Sequence, residues 1–485
     1  MYKAYVTVLT NVRKHPNADR LLLADVFGNT VCVSLDYVEG EIGVYFPTDG
    51  QLSTEFAEKN NLLRKKDDAG NNIGGYMDPN KRNVTAIRLR GEKSDGLFLP
   101  LSCLTYTGVN MDTLNVGDVI EGAVNGHEIC CKYIPRSNSS NRASQGGNRT
   151  RKKKVATAPL FAEHADTEQL AYNLSAFKSD DEIEITLKMH GTSQRTGYLP
   201  VFKGYKNNIW GKLLKVVKST GVFDKKVFAW IAWIEKHATP VYDWGYVSGT
   251  RRVVLENYEG GFYGDNAFRE QHSKVFEGKL NKGETVYYEV VGFTSTGAPI
   301  MGDASNKKLN DKEFIKQYGE TTRFSYGCSP TGTTEIPMSE TGLPYGAVVS
   351  APQSDIYVYR MTMTNEDGFV VEYTPDFMRY RCEQMGVKTV PVLWRGAIPE
   401  HPGSKNDPTI TAGEWIKNVA ELYYDGPDPV GKTHVREGVV VRIINRPKFS
   451  AYKHKNFNFK CLSGIAIAEA EANGKNIDES IAAEM

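Results

Sequence analysis

The chain has 485 residues, 24% charged and 40% hydrophobic, with a formal net charge of +1; it is too long for one hydrophobic core to organise and too balanced for whole-molecule charge to select a partner. Its seven cysteines are scattered and form no C-x-x-C pair, which argues against a zinc site or a disulfide framework. No apolar run is long enough to span a bilayer and the N-terminus lacks a signal-peptide pattern, so a reduced, cytoplasmic protein without membrane attachment is expected.

Residues 1–134 carry short strand candidates between turn signals, among them "YKAYVTVLTNV", "RLLLADVFGNTVCVSL", "EIGVYFP" and "TAIRLRGEKSDGLFLPL". That spacing predicts a small all-β barrel. In "HPNADRL" (His15–Leu21), Pro16 and Asn17 favour a turn, and Asp19 can satisfy backbone donors there. In "IRLRGEKSDGLFLPL", Arg88, Arg90 and Lys93 flank Gly91 and put a positive rim beside a turn. The two stretches resemble the tRNA-binding OB modules appended to some aminoacyl-tRNA synthetases. The resemblance implies an OB-fold nucleic-acid-binding domain with Arg88, Arg90 and Lys93 among its contacts. Residues 135–159 hold no aromatic and no acidic residue and read as a flexible basic linker. Its "RTRKKK" run offers Lys152, Lys153 and Lys154 to phosphates.

Residues 160–465 are a larger mixed region. Strand candidates "DEIEITLKM", "YVSGTRRVVLEN", "TVYYEVVGF", "SDIYVYRMTM", "REGVVVRII" and "KNFNFKCLS" are interspersed with helix candidates such as "TPDFMRYRCEQMG" and "TAGEWIKNVAELYYD". The stretch 207–240 has a helical period, lysines on one side and Trp, Leu, Val and Ile on the other, and is expected as a helical insertion packed on the main domain. Residues 466–485 are Ala/Glu-rich and read as a C-terminal tail.

Chemistry gathers at "EITLKMHGTSQRTG", residues 184–197. A strand ends in Lys188, and His190, Gly191, Thr192 and Ser193 follow at once. A lysine becomes a nucleophile when burial or nearby cations lower its pKa, and a nucleotide triphosphate with Mg²⁺ is an electrophile that suits it. Gly191 lets backbone approach a ligand, and Thr192 and Ser193 offer hydroxyls. Later strands supply partners in order: Glu289, the aromatic faces Tyr357 and Tyr359, Glu437 before Gly438, and Lys460. Singly, each is an ordinary strand-end carboxylate, core ring or surface lysine; the ordered set is what points to a site.

Lys188-x-His190-Gly191, Glu289-x-x-Gly292, Tyr357, Glu437-Gly438 and Lys460 resemble motifs I, III, IIIa, IV and V of covalent nucleotidyltransferases, the superfamily of polynucleotide ligases and mRNA capping enzymes. Lys-x-His-Gly-Thr looks like the nick-sealing RNA ligases, and an OB module in front is similar to the Deinococcus-type branch. The fold so implied is α+β: an N-terminal all-β OB barrel, then a nucleotidyltransferase (ATP-grasp-like ligase) domain of antiparallel sheets with flanking helices.

The resemblance implies an ATP-dependent RNA ligase, with Mg²⁺ or Mn²⁺, acting on RNA, nicked duplex RNA or an RNA/DNA hybrid, with no obligate protein partner. Lys188 would carry AMP, Glu437 would bind the metal, Glu289 the ribose, and Tyr357 the adenine. Lys460 would hold the α-phosphate, with His190, Gly191 and an arginine completing the nucleotide site. That arginine is Arg251, with Arg252 as rival because strand alternation would point the two apart. Ser193 stands where related ligases often carry Asn, as a contact to the nick or AMP phosphate. Motif V usually has two lysines spaced by one residue, and around Lys460 those neighbours are Asn458 and Leu462. The rivals are a capping-type guanylyltransferase and a catalytically inactive RNA-binding protein. "GPDPVGKT" (residues 426–433) matches Walker A spacing, but Pro427 and Pro429 remove amide donors and the helix–strand order is inverted.

Overall fold

The computed structural model describes residues 2–66, 69–70, 72–133, 156–213, 233–234, 237–255, 257–258, 263–264, 266–302, 305, 307–335, 348–403 and 409–472. Lys152, Lys153 and Lys154, most of the 207–240 stretch and the end of the tail lie outside these residues.

The N-terminal part is β-rich, as its Val, Tyr, Ile and Phe content favours. Its strands include β1 (Ala4–Val8), β2 (Ile42–Phe46), β3 (Ala86–Leu89), β4 (Glu92–Asp95), β5 (Leu97–Pro100) and β6 (Val119–Ile120). They give an open sheet of order β5-β2-β1-β6, with Val6 opposite Val44. Thr10–Lys14, Leu22–Val26 and Asn29–Val33 form a second sheet. Strands β3 and β4 make a separate hairpin, turned at Arg90 and Gly91 with φ of 45° and 94°, as a two-residue turn with both φ positive requires. The expected barrel is not closed: among the described residues, no sheet returns to its first strand.

The two quoted motifs meet across this hairpin. The Asn17 amide N–H donates to His15 Nδ1 at 3.1 Å, His15 Nε2 lies 3.0 Å from the Leu89 carbonyl, and Asn17 Nδ2 donates to the Arg90 carbonyl at 3.0 Å. His15 and Asn17 therefore shape turns.

The larger region is built on two sheets whose long strands pair antiparallel, with a small hairpin of Thr333–Glu335 and Val348–Ser350 beside them. Its strands are β7 (Glu182–Lys188), β8 (Thr192–Tyr205), β9 (Pro240–Gly249), β10 (Glu284–Gly292), β11 (Ser354–Thr364), β12 (Val370–Glu372), β13 (Val392–Ala397), β14 (Gly438–Ile443) and β15 (Ser450–Lys455). One sheet runs Glu168–Gln169, β15, β14, β7, β13; the other runs β9, β8, β10, β11, β12, with Lys388–Thr389 also on β11. The helices include α1 (Ala267–Lys274), α2 (Pro375–Met385), α3 (Ala412–Glu421) and α4 (Phe457–Ala472), besides the short Lys312–Tyr318. Local signals bound them. Thr374 caps α2 with Pro375 in its first turn and Gly386 at φ 68° after it. Thr411 and Glu414 form a capping box on α3.

Helix α3 covers one face of the first sheet, packing Ile416 and Ala420 with Ile183, Ile185, Val439 and Val441. Helices α1 and α2 cover the second, where Phe268, Met378 and Cys382 join Val286, Tyr288 and Val358. Period-2 alternation then turns Thr186, Lys188, Lys453 and Lys455 of one sheet, and Ser193, Glu289 and Tyr357 of the other, away from those helices. Between the sheets, Arg360 on β11 pairs with Glu372 on β12, and its guanidinium lies 4.6 Å from the ring centroids of both Tyr287 and Phe449.

Candidate active site

Lys188 ends β7. Gly438 lies opposite it on β14, and Lys455 lies opposite Gly438 on β15. Cross-strand neighbours share a face, so two lysines flank a position without a side chain. An added Cβ at Gly438 would come within 2.1 Å of the His454 carbonyl oxygen, and its φ is +147°. Glu437, one residue before, is 4% exposed. Its Oε1 lies 2.7 Å from Lys188 Nζ and 3.8 Å from Lys455 Nζ, and its Oε2 lies 3.8 Å from His190 Nδ1. Burial pushes the Glu437 carboxyl up, but Lys188, Lys455 and His190 outweigh it and hold the pKa below the ordinary value.

Glu289 belongs to the same charge cluster. Burial raises its pKa from the ordinary 4.5 to about 7, against the lowering effect of Lys188 and Arg251, with Glu437 adding to the rise. The folded chain thus keeps a proton on Glu289 where the unfolded chain has lost it, so stability falls as pH rises from 4.5 towards about 7. Glu289→Gln is expected to remove this slope. The gap in unfolding free energy between the two proteins should change by at most about 3 kcal/mol across that window; parallel pH profiles in denaturant titrations would contradict the assignment.

The turn after Lys188 carries the chain from the first sheet to the second. The His190 N–H donates to the Tyr326 hydroxyl at 2.6 Å, and Thr192 Oγ1 accepts from Arg269 Nη2 at 2.5 Å. Ser193 Oγ and the Tyr359 hydroxyl are 2.9 Å apart. An added Cβ on Gly191 would sit 2.3 Å from the Val290 carbonyl oxygen, so the glycine is required by the close approach of the turn to β10. Gly191→Ala should displace the turn, costing about 2 kcal/mol of stability together with any reaction at Lys188. Wild-type melting and wild-type chemistry in that variant would exclude this role.

The alternation in "KNFNFKCLS" predicts a strand, and the structure has a helix there instead. Asn456 Oδ1 accepts the N–H groups of Asn458 and Phe459, which caps a helix, α4. Lys460 is therefore helical, and its Nζ meets Asp95 Oδ2 of β4 at 2.6 Å. It is not brought to Lys188. Lys453 and Lys455 of β15 are, and burial, then Lys455, Lys188 and Arg251, lowers the Lys453 pKa from 10.5 to about 8. The missed signal was the alternation in "AYKHKN", two lysines spaced by one residue at the end of a strand.

Arg251 and Arg252 lie beyond the end of β9, so alternation does not separate them: both reach Asp166, at 3.2 and 2.8 Å. Arg251 is the one that acts on Glu289. Tyr357 stands in register with Glu289 but is 5% exposed, in the core cluster with Met189 and Val291.

No family model matches the chain, and no curated protein does. Solved structures do. A mutant Naegleria gruberi RNA ligase with ATP and Mn is 16% identical over 96% of this chain and 98% of that one, at a TM-score of 0.50. A second mutant with ATP and Mn is 15% identical, covering 94% and 98%, at 0.51. The same ligase with PPi is 16% identical, covering 94% and 97%, at 0.50. The chain has the fold of an RNA ligase.

Within that RNA-ligase fold, the expected positive rim is a seam. Arg88 Nη2 contacts Asp311 at 2.7 Å and Asn458 at 3.1 Å, and Lys93 Nζ lies 5.4 Å from the Phe457 ring centroid. These residues, with Lys460–Asp95, hold the β3–β4 hairpin on α4; Arg90 donates to the Asn17 carbonyl at 3.3 Å. The "GPDPVGKT" loop presents no phosphate cradle either, because Asp428 Oδ1 accepts the Val430 and Gly431 N–H groups at 2.8 Å each. Among the described residues, no helix is long and apolar enough to cross a membrane.

Proposed function

We propose that this chain is an ATP-dependent RNA ligase that joins 3′-OH and 5′-phosphate ends through a lysyl-AMP intermediate. The observation that carries the reading is the meeting, between two sheets, of a strand-end lysine, the buried carboxylate of Glu437, the half-buried carboxylate of Glu289 and a pair of further lysines, drawn from β7, β10, the residue before β14, and β15. We take residues 160–465 as the nucleotidyltransferase domain, residues 1–134 as an OB-type RNA-binding module, and 135–159 as a basic linker.

In this reading the Lys188 amine attacks the α-phosphorus of ATP. A P–N bond forms, the bond to pyrophosphate breaks, and the amine loses its proton. An RNA 5′-phosphate oxygen then takes the AMP and frees Lys188, and a 3′-OH displaces AMP to seal the strand. Lys453 and Lys455 stabilise charge on the transferring phosphoryl group. Glu289 and Arg251 bind the nucleoside and phosphate ends; Tyr357, packed in the core, supports β10 at Glu289. In the ligand-free chain Lys188 stands as the partner of Glu437, so the amine must leave that carboxylate before it attacks.

A divalent ion, Mg²⁺ or Mn²⁺, fits Glu437. Its Oε2 is buried and accepts no hydrogen bond among the described residues, and no group of three or more His, Cys, Asp or Glu there could hold an ion alone. Such a site suits an ion that shares its ligands between one carboxylate, water and phosphate oxygens, and the ion would supply charge neutralisation at the α-phosphate.

The test is incubation with Mg²⁺ and α-labelled ATP or GTP, followed by denaturation. The reading predicts label on the protein from ATP. Label from GTP alone would favour a capping-type guanylyltransferase, and none from either an inactive RNA-binding protein.

A further inference from the structure

Strands β8 and β9 outrun their sheet. Only Thr192–Gly197 of β8 pairs with β10, whereas the β8–β9 ladder continues to Tyr205 opposite Pro240. The excess forms a two-stranded arm. One face of it packs: Leu199, Val201 and Val247 join Phe161 and Ala158. On the other face the register sets Tyr198 opposite Tyr246, Pro200 opposite Trp244 and Phe202 opposite Tyr242; Tyr198 and Tyr246, at its base, pack against the Phe268 and Phe276 core, where the Tyr246 hydroxyl accepts the Gly278 N–H at 2.6 Å. Those side chains share one side of the arm. Tyr198 and Tyr246 stack at 4.7 Å between centroids, Tyr198 and Trp244 are 5.9 Å apart, and Phe202 and Tyr242 are 5.9 Å apart. Lys282 Nζ lies 5.2 Å from the Trp244 centroid. All five rings are half-buried.

This face carries rings and one proline, with no aliphatic side chain. A protein-docking or membrane-facing surface is commonly built with Leu, Ile, Val or Met as well. Successive rings with cations beside them are instead the elements that stack bases and attract phosphates without reading sequence. The arm's described residues also include Lys203, Lys206 and the single acid Asp243, of which Lys203, its Nζ 3.4 Å from where a Cβ on Gly245 would lie, and Asp243, opposite Val201, belong to the packed face.

We propose that the outer rings of this ladder, Trp244, Phe202 and Tyr242, are a stacking platform for the RNA strand outside the reacting ends. The proposal rests on the RNA-ligase reading above. The ladder lies on the face of β8 opposite the Ser193–Glu289 row, and at ~3.3 Å per residue Phe202 is about 30 Å along the strand from Ser193. It therefore touches RNA remote from the joint and takes no part in nucleotide chemistry.

The experiment compares wild-type protein, Phe202→Ala/Trp244→Ala and Trp244→Phe in three measurements: lysine labelling by ATP, and affinity for short and for long nicked RNA duplexes. The double variant should label like wild type, bind the short duplex equally, and lose at least about tenfold in affinity for the long one; Trp244→Phe should retain affinity. Unchanged long-duplex affinity in the double variant, or an equal loss on both duplexes, overturns the platform. So does wild-type binding to anionic vesicles that the double variant loses while its RNA affinity is intact. Absence of labelling in the wild type with the length-dependent loss preserved would refute the ligase reading and leave the platform standing. A melting curve matching wild type for Trp244→Phe, with affinity lost, also overturns it, because the ring remains.

Discussion

Lys188→Ala is expected to abolish covalent transfer of AMP to the protein, a loss of at least ~10³-fold. Alanine cannot form the P–N bond, and geometry offers no substitute. Lys455 is held 3.8 Å from the same Glu437 oxygen, but it stands on β15, across Gly438 from the end of β7. Lys188→Arg should be equally inactive, because a guanidinium stays charged. ATP binding in Lys188→Ala should persist, since Glu289, Arg251, Lys453 and Lys455 are untouched, and retained affinity by calorimetry separates a missing nucleophile from a collapsed site. Label retained in Lys188→Ala would move the nucleophile elsewhere.

The second large effect discriminates among the C-terminal lysines. Lys453→Ala and Lys455→Ala should each slow self-labelling by about 10²-fold or more, as expected when a donor to a transferring phosphoryl group is removed. Lys460→Ala should leave the rate within about threefold. It should instead lower stability by about 3 kcal/mol, because it strands Asp95, 5% exposed, at the seam with α4. Lys453 adds a pH signature. With its pKa lowered to about 8 by burial and by Lys455, Lys188 and Arg251, it loses its charge above that value, so ATP affinity should fall as pH rises past about 8. The fall should be absent in Lys453→Arg. A labelling defect in Lys460→Ala with normal melting, and none in the β15 variants, would restore the sequence-based assignment.

Much of this architecture was legible in the chain, and the reasons are local. Strand β7 alternates through "EIEITLK" and stops at a glycine-bearing turn, and Glu437-Gly438 opens the apolar run of β14, so Lys188 and Glu437 could be placed before any contact was known. Helices α2 and α3 announce themselves through Thr374, Gly386 and the Thr411–Glu414 box. What failed was boundary and pairing. "KNFNFKCLS" alternates like a strand, but Asn456 caps a helix there, and capping outweighed the pattern. Arg88 and Lys93 read as a free basic rim because Asp311 and Phe457, their partners, are more than two hundred residues away. Arg269 and Tyr326, which hold the turn after Lys188, sit in segments whose local pattern carries no sign of it. The aromatic arm was invisible as a face until the β8–β9 register paired its rings.

The most direct test is peptide mapping after incubation with ATP and Mg²⁺. The protein is denatured, digested and sequenced by mass spectrometry to find the residue bearing AMP. The account predicts the modification on the peptide containing Met189 and His190, at Lys188, with unmodified Lys453, Lys455 and Lys460. AMP on any other side chain, or none on a protein that nonetheless seals RNA, would contradict it.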